Sequence, residues 1–133
     1  MQLSGAYRGQ MTDEVRQALA TDPTIDITTT GRNSGEPRRI EIWMLAIEDR
    51  FFITGTPGPR GWLANIKTNP RVVVHMKNGM QADLVAWAHV VDDEATRRRV
   101  LSDDAASWYR TQHPLDVLVA SAPMIELRLD EDY

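Results

Sequence analysis

Residues 24–47 read TIDITTTGRNSGEPRRIEIWMLAI, and the order of residue types along this stretch decides the fold. From Thr24 to Thr30 nearly every side chain is β-branched, which crowds a helix but packs well on a pleated surface, so the segment reads as a strand. Gly31-Arg32-Asn33-Ser34-Gly35 turns the chain. After Pro37, residues 38–47 read as a second strand, closed by the turn Glu48-Asp49. The two-residue period of that strand sets Ile40, Ile42 and Met44 against Arg39, Glu41 and Trp43, which puts Trp43 on the side of the arginine cluster.

The rest of the chain continues the pattern on both sides. Residues 1–22 form an N-terminal helical segment, capped at Thr12, acidic at Asp13 and Glu14, and ended by Pro23. Phe51-Phe52-Ile53-Thr54 is a third strand, and Gly55-Thr56-Pro57-Gly58-Pro59 interrupts all regular structure. An inserted helix over 61–68 follows, with Trp62, Asn65 and Ile66 on one face and Pro70 as its stop. Strands over 71–77 and 82–91 flank the hairpin signal Asn78-Gly79. Helices fill 92–113, the first acidic at its start and with Arg97, Arg98 and Arg99 near its end, three arginines that read as solvated surface. A last strand occupies 123–129, where Met124 to Leu129 alternate cleanly. The expectation is one domain over 1–133, mainly β with flanking helices: a six-stranded antiparallel barrel, since closure removes unpaired edges.

Composition narrows the chemistry. The chain of 133 residues has no cysteine, which excludes disulfides, thiolate metal sites and a cysteine nucleophile. His75, His89 and His113 are far apart with no carboxylate at ligand spacing, so no metal site is expected. Neither a membrane span nor a signal-peptide pattern is visible, and the expected location is the cytoplasm. The net charge of −4 argues against a general nucleic-acid binder. It hides an asymmetry, because residues 31–77 hold eight basic and four acidic side chains. A basic centre in an acidic chain suits a compact anion such as a phosphate or carboxylate.

Two segments could hold such an anion. In 31–38 the glycines let backbone N–H groups converge, while Ser34, Arg32 and Arg38 add side-chain donors; a hairpin turn made soluble by arginines is the competing reading. The second is the start of the 61–68 helix, where free N–H groups and Arg60 gather positive charge and Trp62 either lies against a planar ligand or faces the core. His75 either bonds a ligand's polar edge or sits on a plain strand surface. No serine-histidine-aspartate set or acid/base pair stands out, so reactivity, if any, comes from a bound cofactor.

The order Thr28-Thr29-Thr30-Gly31-Arg32-Asn33-Ser34-Gly35-Glu36-Pro37-Arg38, then a strand pair, then Trp62-x-x-Asn65-Ile66 and Asn69-Pro70 before a valine-rich strand, resembles the deazaflavin-dependent nitroreductase and quinone reductase family. The resemblance covers about residues 24–91. It implies the split β-barrel shared with flavin-binding pyridoxamine-phosphate oxidases, and the reduced 5-deazaflavin coenzyme F-420 as hydride donor to a planar quinone or nitroaromatic. It implies that Arg32, Asn33, Ser34 and Arg38 hold the coenzyme's phosphate and acidic tail. Arg39, Ile40, Glu41, Ile42 and Trp43, with Thr54, Gly55 and Thr56, would line the tricyclic ring, and Gly61, Trp62 and Asn65 would complete the pocket. Asn33 stands where many members carry lysine, leaving Arg39 or Arg60 to substitute. FMN is the rival coenzyme, and a non-catalytic flavin or deazaflavin carrier is the rival function. Tyr109, Ser107 and His113 are candidate proton donors. Val85 and Trp87 face either a partner subunit or the barrel interior, which keeps a homodimer open.

Overall fold

Burial follows the expected alternation along β1 (Thr24–Thr30): Ile25, Ile27 and Thr29 are buried, while Thr24, Asp26, Thr28 and Thr30 are partly exposed. The computed structural model describes residues 4–129, with side chains from residue 12 onward. Around β1 the chain adds β2 (Pro37–Trp43), β3 (Leu45–Ile47), β4 (Arg50–Thr54), β5 (Arg71–Met76), β6 (Ala82–Val90) and β7 (Met124–Leu129). All pairings are antiparallel, in the order β2-β1-β5-β6-β7-β4-β3.

Seven strands replace the expected six because the run 38–47 breaks at Met44. The Met44 N–H donates to the Pro23 carbonyl at 2.9 Å and its side chain is fully buried. Before the break the run pairs with β1, after it with β4. The two outermost strands are therefore successive pieces of one stretch of chain, and the sheet closes through them into a split barrel. Beside β2 the hydrogen-bonded ladder is not continued, and the barrel gapes there.

Two apolar clusters hold the molecule. Ile25, Ile27, Ile53, Val74 and Ile125 meet inside the barrel, with α1 (Ser4–Thr21) contributing Val15, Ala18 and Leu19, and α2 (Gly61–Thr68) contributing Trp62 and Ile66. Each fully buried aliphatic side chain there is worth about 1.5–3 kcal/mol. The second cluster lies outside, where Leu45, Ile47, Phe52 and Met124 are covered by α3 (Glu94–Ser102), a 3-10 turn (Asp104–Ala106), α4 (Ser107–Gln112) and α5 (Leu115–Ser121).

Helix α5 was not expected from its valine-containing sequence, and Arg97 explains part of its stability. The Arg97 guanidinium donates to the carbonyls of Leu118, Val119 and Ala122 at the end of α5, where helix carbonyls lack backbone partners or share them, and to that of Val91. Arg97 is thus a tether between α3 and α5 rather than solvated surface. Arg98 pairs with Glu94 and Asp116, and Arg99 with Glu48 and Asp103. Over β5 and β6 the outer face is bare: Val85 and Trp87 are 38% and 43% exposed, which removes the reading that placed them inside the barrel.

Candidate functional site

The gap beside β2 is visible in two isoleucines. Ile27 on β1 and Ile40 on β2 are direct cross-strand partners and share the inward face, yet Ile27 is fully buried and Ile40 is 37% exposed. Arg38 and Ile42 lie on the same inward face, opposite Thr29 and Ile25. This is an apolar surface with an arginine at one end, open to solvent at Ile40, a combination that suits a ligand flat in one part and anionic in another.

The turn at 31–36 stands at the arginine end of this surface. Gly31 donates its N–H to the Glu36 carbonyl at 2.8 Å and Gly35 donates to the Gly31 carbonyl at 2.9 Å. A Cβ on Gly31 would stand 2.6 Å from Ser34 Oγ, and Gly35 has φ +71°, so neither position accepts a larger residue without distortion. Ser34 Oγ accepts from the Glu36 N–H at 3.1 Å and from Arg38 Nη2 at 3.3 Å. Asn33 is exposed at the tip.

Asn65 ties this turn to α2. Its Oδ1 accepts from the Arg32 N–H at 3.0 Å and from Arg32 Nη1 at 2.9 Å, and its Nδ2 donates to Thr29 Oγ1 at 3.1 Å. Asn65 is buried. Its amide therefore fixes the Arg32 guanidinium at the junction of the turn and α2, a link that sequence spacing alone did not reveal.

The loop 55–60 leads from β4 into α2. Thr54 is buried and donates through Oγ1 to the Pro123 carbonyl at 2.7 Å, behind the loop. Arg60 folds back onto the loop, donating to Thr56 Oγ1 and to the carbonyls of Thr56, Gly58 and Pro59. A Cβ on Gly55 would lie 3.1 Å from Arg60 Nη2, so Gly55 leaves room for that guanidinium. Gly61 opens α2 in an exposed position, whereas Trp62 packs into the interior cluster beside Ile66, the core-facing alternative of its two readings.

Three aromatic rings stand where the barrel meets the C-terminal helices. Trp43 packs edge-on against Trp108 at 5.6 Å and Tyr109 at 5.9 Å, and those two rings are 5.3 Å apart. Burial pushes the Tyr109 phenol up to about 12, with the Arg60 charge pulling weakly the other way. The phenol is protonated at neutral pH and can donate a proton or a hydrogen bond. Ser107 is exposed and His113 half-buried on the same segment.

Alternation divides the stretch 39–43. Ile40 and Ile42 face inward, whereas Arg39 and Glu41 stand on the outer face in an ion network: Arg39 Nε donates to Asp26 at 3.0 Å, and Lys77 Nζ to Asp26 at 2.8 Å and to Glu41. Trp43 is turned to the helices, away from Arg38. The Lys77 hydrogen bond, more than any other contact, holds the Asp26 carboxyl below its ordinary range, and the same contact raises Lys77. His75 also lies outside: Thr28 Oγ1 is 2.7 Å from its Nε2, and Asp83 Oδ1 is 2.8 Å from its Nδ1. Among the described residues no group of three or more His, Asp or Glu is placed to hold a metal, and no helix is long and apolar enough to cross a membrane.

A sheet closed through one chain run, gaping beside it, with a basic turn at the mouth of the gap, defines the class of split β-barrels of the pyridoxine-phosphate-oxidase kind. Solved structures of similar fold include a NimC/NimA family protein from Clostridium acetobutylicum, 15% identical over 88% of this chain and 81% of that one (TM-score 0.68). A general stress protein 26-related protein of the pyridoxinephosphate oxidase family, from the same organism, is 15% identical over 90% of this chain and 84% of its own (TM-score 0.64). An F420-H2 dependent reductase (FDR-A) is 20% identical over 80% of this chain and 95% of its own (TM-score 0.57). No curated protein matches the sequence. The F420H(2)-dependent quinone reductase family matches residues 2–121, and the chain belongs to that family, an F420H(2)-dependent reductase family.

Proposed function

We propose that the groove beside β2 binds reduced coenzyme F420 and that the protein catalyses hydride transfer from it to a planar electrophile, a quinone or a nitroaromatic. The observation that carries this reading is the contrast between Ile40 and Ile27, an apolar wall left open beside a basic turn in a member of an F420H(2)-dependent family. The residues present fit such a group, since Arg32, Ser34 and Arg38 offer charged and hydroxyl donors at one end and Ile40 and Ile42 an apolar surface beyond them. When bound, the coenzyme supplies the hydride.

The chain's own residues bind and orient. Arg32, held by Asn65, and Arg38, held by Ser34, grip the anionic end. Asn33, Thr56, Gly61 and Arg60 border the same groove, and the edge-on cluster Trp43–Trp108–Tyr109, with Trp108 its exposed member, offers aromatic contacts to the acceptor. Tyr109, protonated at neutral pH, donates the proton that completes reduction of a quinone oxygen. Positioning two flat molecules in a water-poor groove supplies most of the acceleration. The same reading places the protein in the cytoplasm.

Tryptophan fluorescence during titration with oxidised F420, and separately with FMN, tests the reading. Saturation by F420 at micromolar level, weakened at least about tenfold in Arg32→Ala and in Arg38→Ala, supports it. Saturation by FMN alone overturns the coenzyme assignment. Binding of F420 with no coenzyme oxidation in the presence of any quinone or nitro compound leaves a carrier instead of a reductase.

A further inference from the structure

Three strands bring a hydroxyl, an imidazole and a carboxylate into one line on the outer face of the sheet, away from the groove. Thr28 stands on β1, His75 on its neighbour β5 and Asp83 on β6, where His75 and Asp83 are direct cross-strand partners. Thr28 is paired with Val73, the outward position next to His75 on β5. The separations of 2.7 Å from Thr28 Oγ1 to His75 Nε2 and 2.8 Å from His75 Nδ1 to Asp83 Oδ1 are both those of good hydrogen bonds. No spacing in the sequence announces this set, because Thr28 and His75, 47 positions apart, meet only through strand pairing.

The direction of the proton follows from the partners. An ionised aspartate only accepts, so the hydrogen of the neutral imidazole sits on Nδ1, and the bare Nε2 accepts from the Thr28 hydroxyl. A hydroxyl becomes a nucleophile in this arrangement, since a base takes its proton and a carboxylate fixes the tautomer of the base. The His75 side chain is only 12% accessible and so is held in place, while Thr28 is partly exposed and can meet a substrate. Arg39 lies directly across from Thr28 on β2, with its Nε on Asp26 and its two terminal nitrogens without a hydrogen-bond partner among the described residues. On the other side of Thr28, Val73 is paired with the exposed Val85, and the two form an aliphatic shelf. Lys77 is engaged by Asp26 and Glu41, which keeps its amine charged and unreactive.

The geometry points to Thr28 as a nucleophile for acyl transfer, with His75 as its base, Asp83 as the residue that positions His75, and small activated esters of short apolar acids as substrates. As the bond from Thr28 Oγ1 to the carbonyl carbon forms, the hydroxyl proton passes to His75 Nε2, and the carbonyl oxygen takes up negative charge beside the Arg39 guanidinium. The ester C–O bond then breaks, the carbonyl re-forms, and the leaving oxygen takes the proton from Nε2. Water attacks acyl-Thr28 with the same nitrogen as base, which releases the acid and restores the hydroxyl. Nothing is oxidised or reduced, so the site works without a coenzyme and apart from the groove. It lies on a sheet face and not in a cleft, and therefore favours substrates that are small and reactive over long ones.

Incubation of the intact chain with p-nitrophenyl acetate tests the proposal through two readouts, nitrophenolate release and, after an acid quench, the masses of its peptides. Wild type releases nitrophenolate at least about tenfold faster than Thr28→Val, and an acetyl group appears on the peptide carrying Thr28. Thr28→Ser retains both, which separates loss of the hydroxyl from loss of the fold. His75→Gln keeps Thr28 but leaves it unlabelled. Asp83→Asn lowers kcat at least about tenfold with KM and thermal midpoint unchanged, because it alters the tautomer of the imidazole and not the surface that meets the ester. Equal hydrolysis by wild type and Thr28→Val, or acetyl groups on lysines and the N-terminus alone, overturns the proposal. The groove and its coenzyme reading stand apart from each of these outcomes.

Discussion

The two sides of the barrel use the same strand chemistry to opposite ends. On the closed side, β1, β5, β6, β7 and β4 each have a neighbour on both edges, and their inward residues Ile25, Val74, Ile53 and Ile125 are fully buried. On the split side, β2 has one neighbour and residues 37–41 are exposed whichever way they point. Strands paired on both edges bury their inward side chains, and on β4 and β7 the helices bury the outer face as well. Where one edge is missing, alternation still sets direction but no longer sets burial, and a groove results. Stability is concentrated on one side and ligand chemistry on the other.

Core truncation on the closed side should have the largest effect. Ile53→Ala should lower unfolding free energy by about 2–5 kcal/mol in denaturant titration, leaving coenzyme affinity of the folded fraction unchanged. A smaller loss would mean that the interior can collapse around the cavity and that the closed side is less rigid than its burial implies.

Asn65 joins the two regions, so its replacement should affect both. Asn65→Ala leaves Thr29 and the Arg32 N–H without their buried partner and should cost about 1–3 kcal/mol, with a fall in coenzyme affinity close to that of Arg32→Ala. Arg32→Ala, on the exposed turn, should leave the thermal midpoint almost unmoved. If the two variants lose affinity by very different factors, Arg32 is not oriented by Asn65.

The closed side also carries a pH dependence. Glu126 receives two hydrogen bonds from Arg50, each 2.9 Å, which hold its carboxyl below the ordinary value of 4.5. A depressed folded pKa contributes stability that is fully present above 4.5 and is lost as pH falls through the lower, folded value. Glu126→Gln should cost about 1.5–3 kcal/mol at neutral pH and flatten the acid limb of a plot of thermal midpoint against pH. An acid limb unchanged by the substitution would assign that sensitivity to other carboxylates, Asp26 first.

The smallest stability change is expected on the split side. Ile40→Ala should alter unfolding free energy by less than about 1 kcal/mol while weakening coenzyme binding severalfold, the reverse of Ile53→Ala. Equal behaviour of the two isoleucines would erase the distinction between the sides.

What was legible in the sequence divides along the same line. The β-branched run Thr24–Thr30, the glycine turn and the alternating Met124–Leu129 declare themselves because their determinants are local. The order of motifs that resembles the quinone reductase family led to the right fold and family. The break at Met44 was hidden, since apolar residues continue across it and only the distant strands β1 and β4 make the chain change partners there. The role of Arg97 was hidden for the same reason, its acceptors lying as much as 25 residues along the chain. Arg39 and Glu41 carry suitable charge for an anion site, but their partners Asp26 and Lys77 come from other strands and settle them on the outer face. Residue type suggests chemistry, and the tertiary neighbour decides whether it is available.

The position of β7 bears on how the molecule is made. Among the described residues it follows every other strand in chain order, yet it lies between β6 and β4 and supplies the hydrogen-bonded link from the sheet β2-β1-β5-β6 to the hairpin β3-β4, which otherwise meet through the chain at Met44. A nascent chain emerging from the ribosome can assemble those two parts in turn, but each waits with an open edge until residues 124–129 arrive. During that interval the edges of β6 and β4 can pair with another molecule, so slow synthesis or loss of the final strand should favour aggregation over folding. Closure of this barrel waits on residues 124–129, which are made after every other described strand.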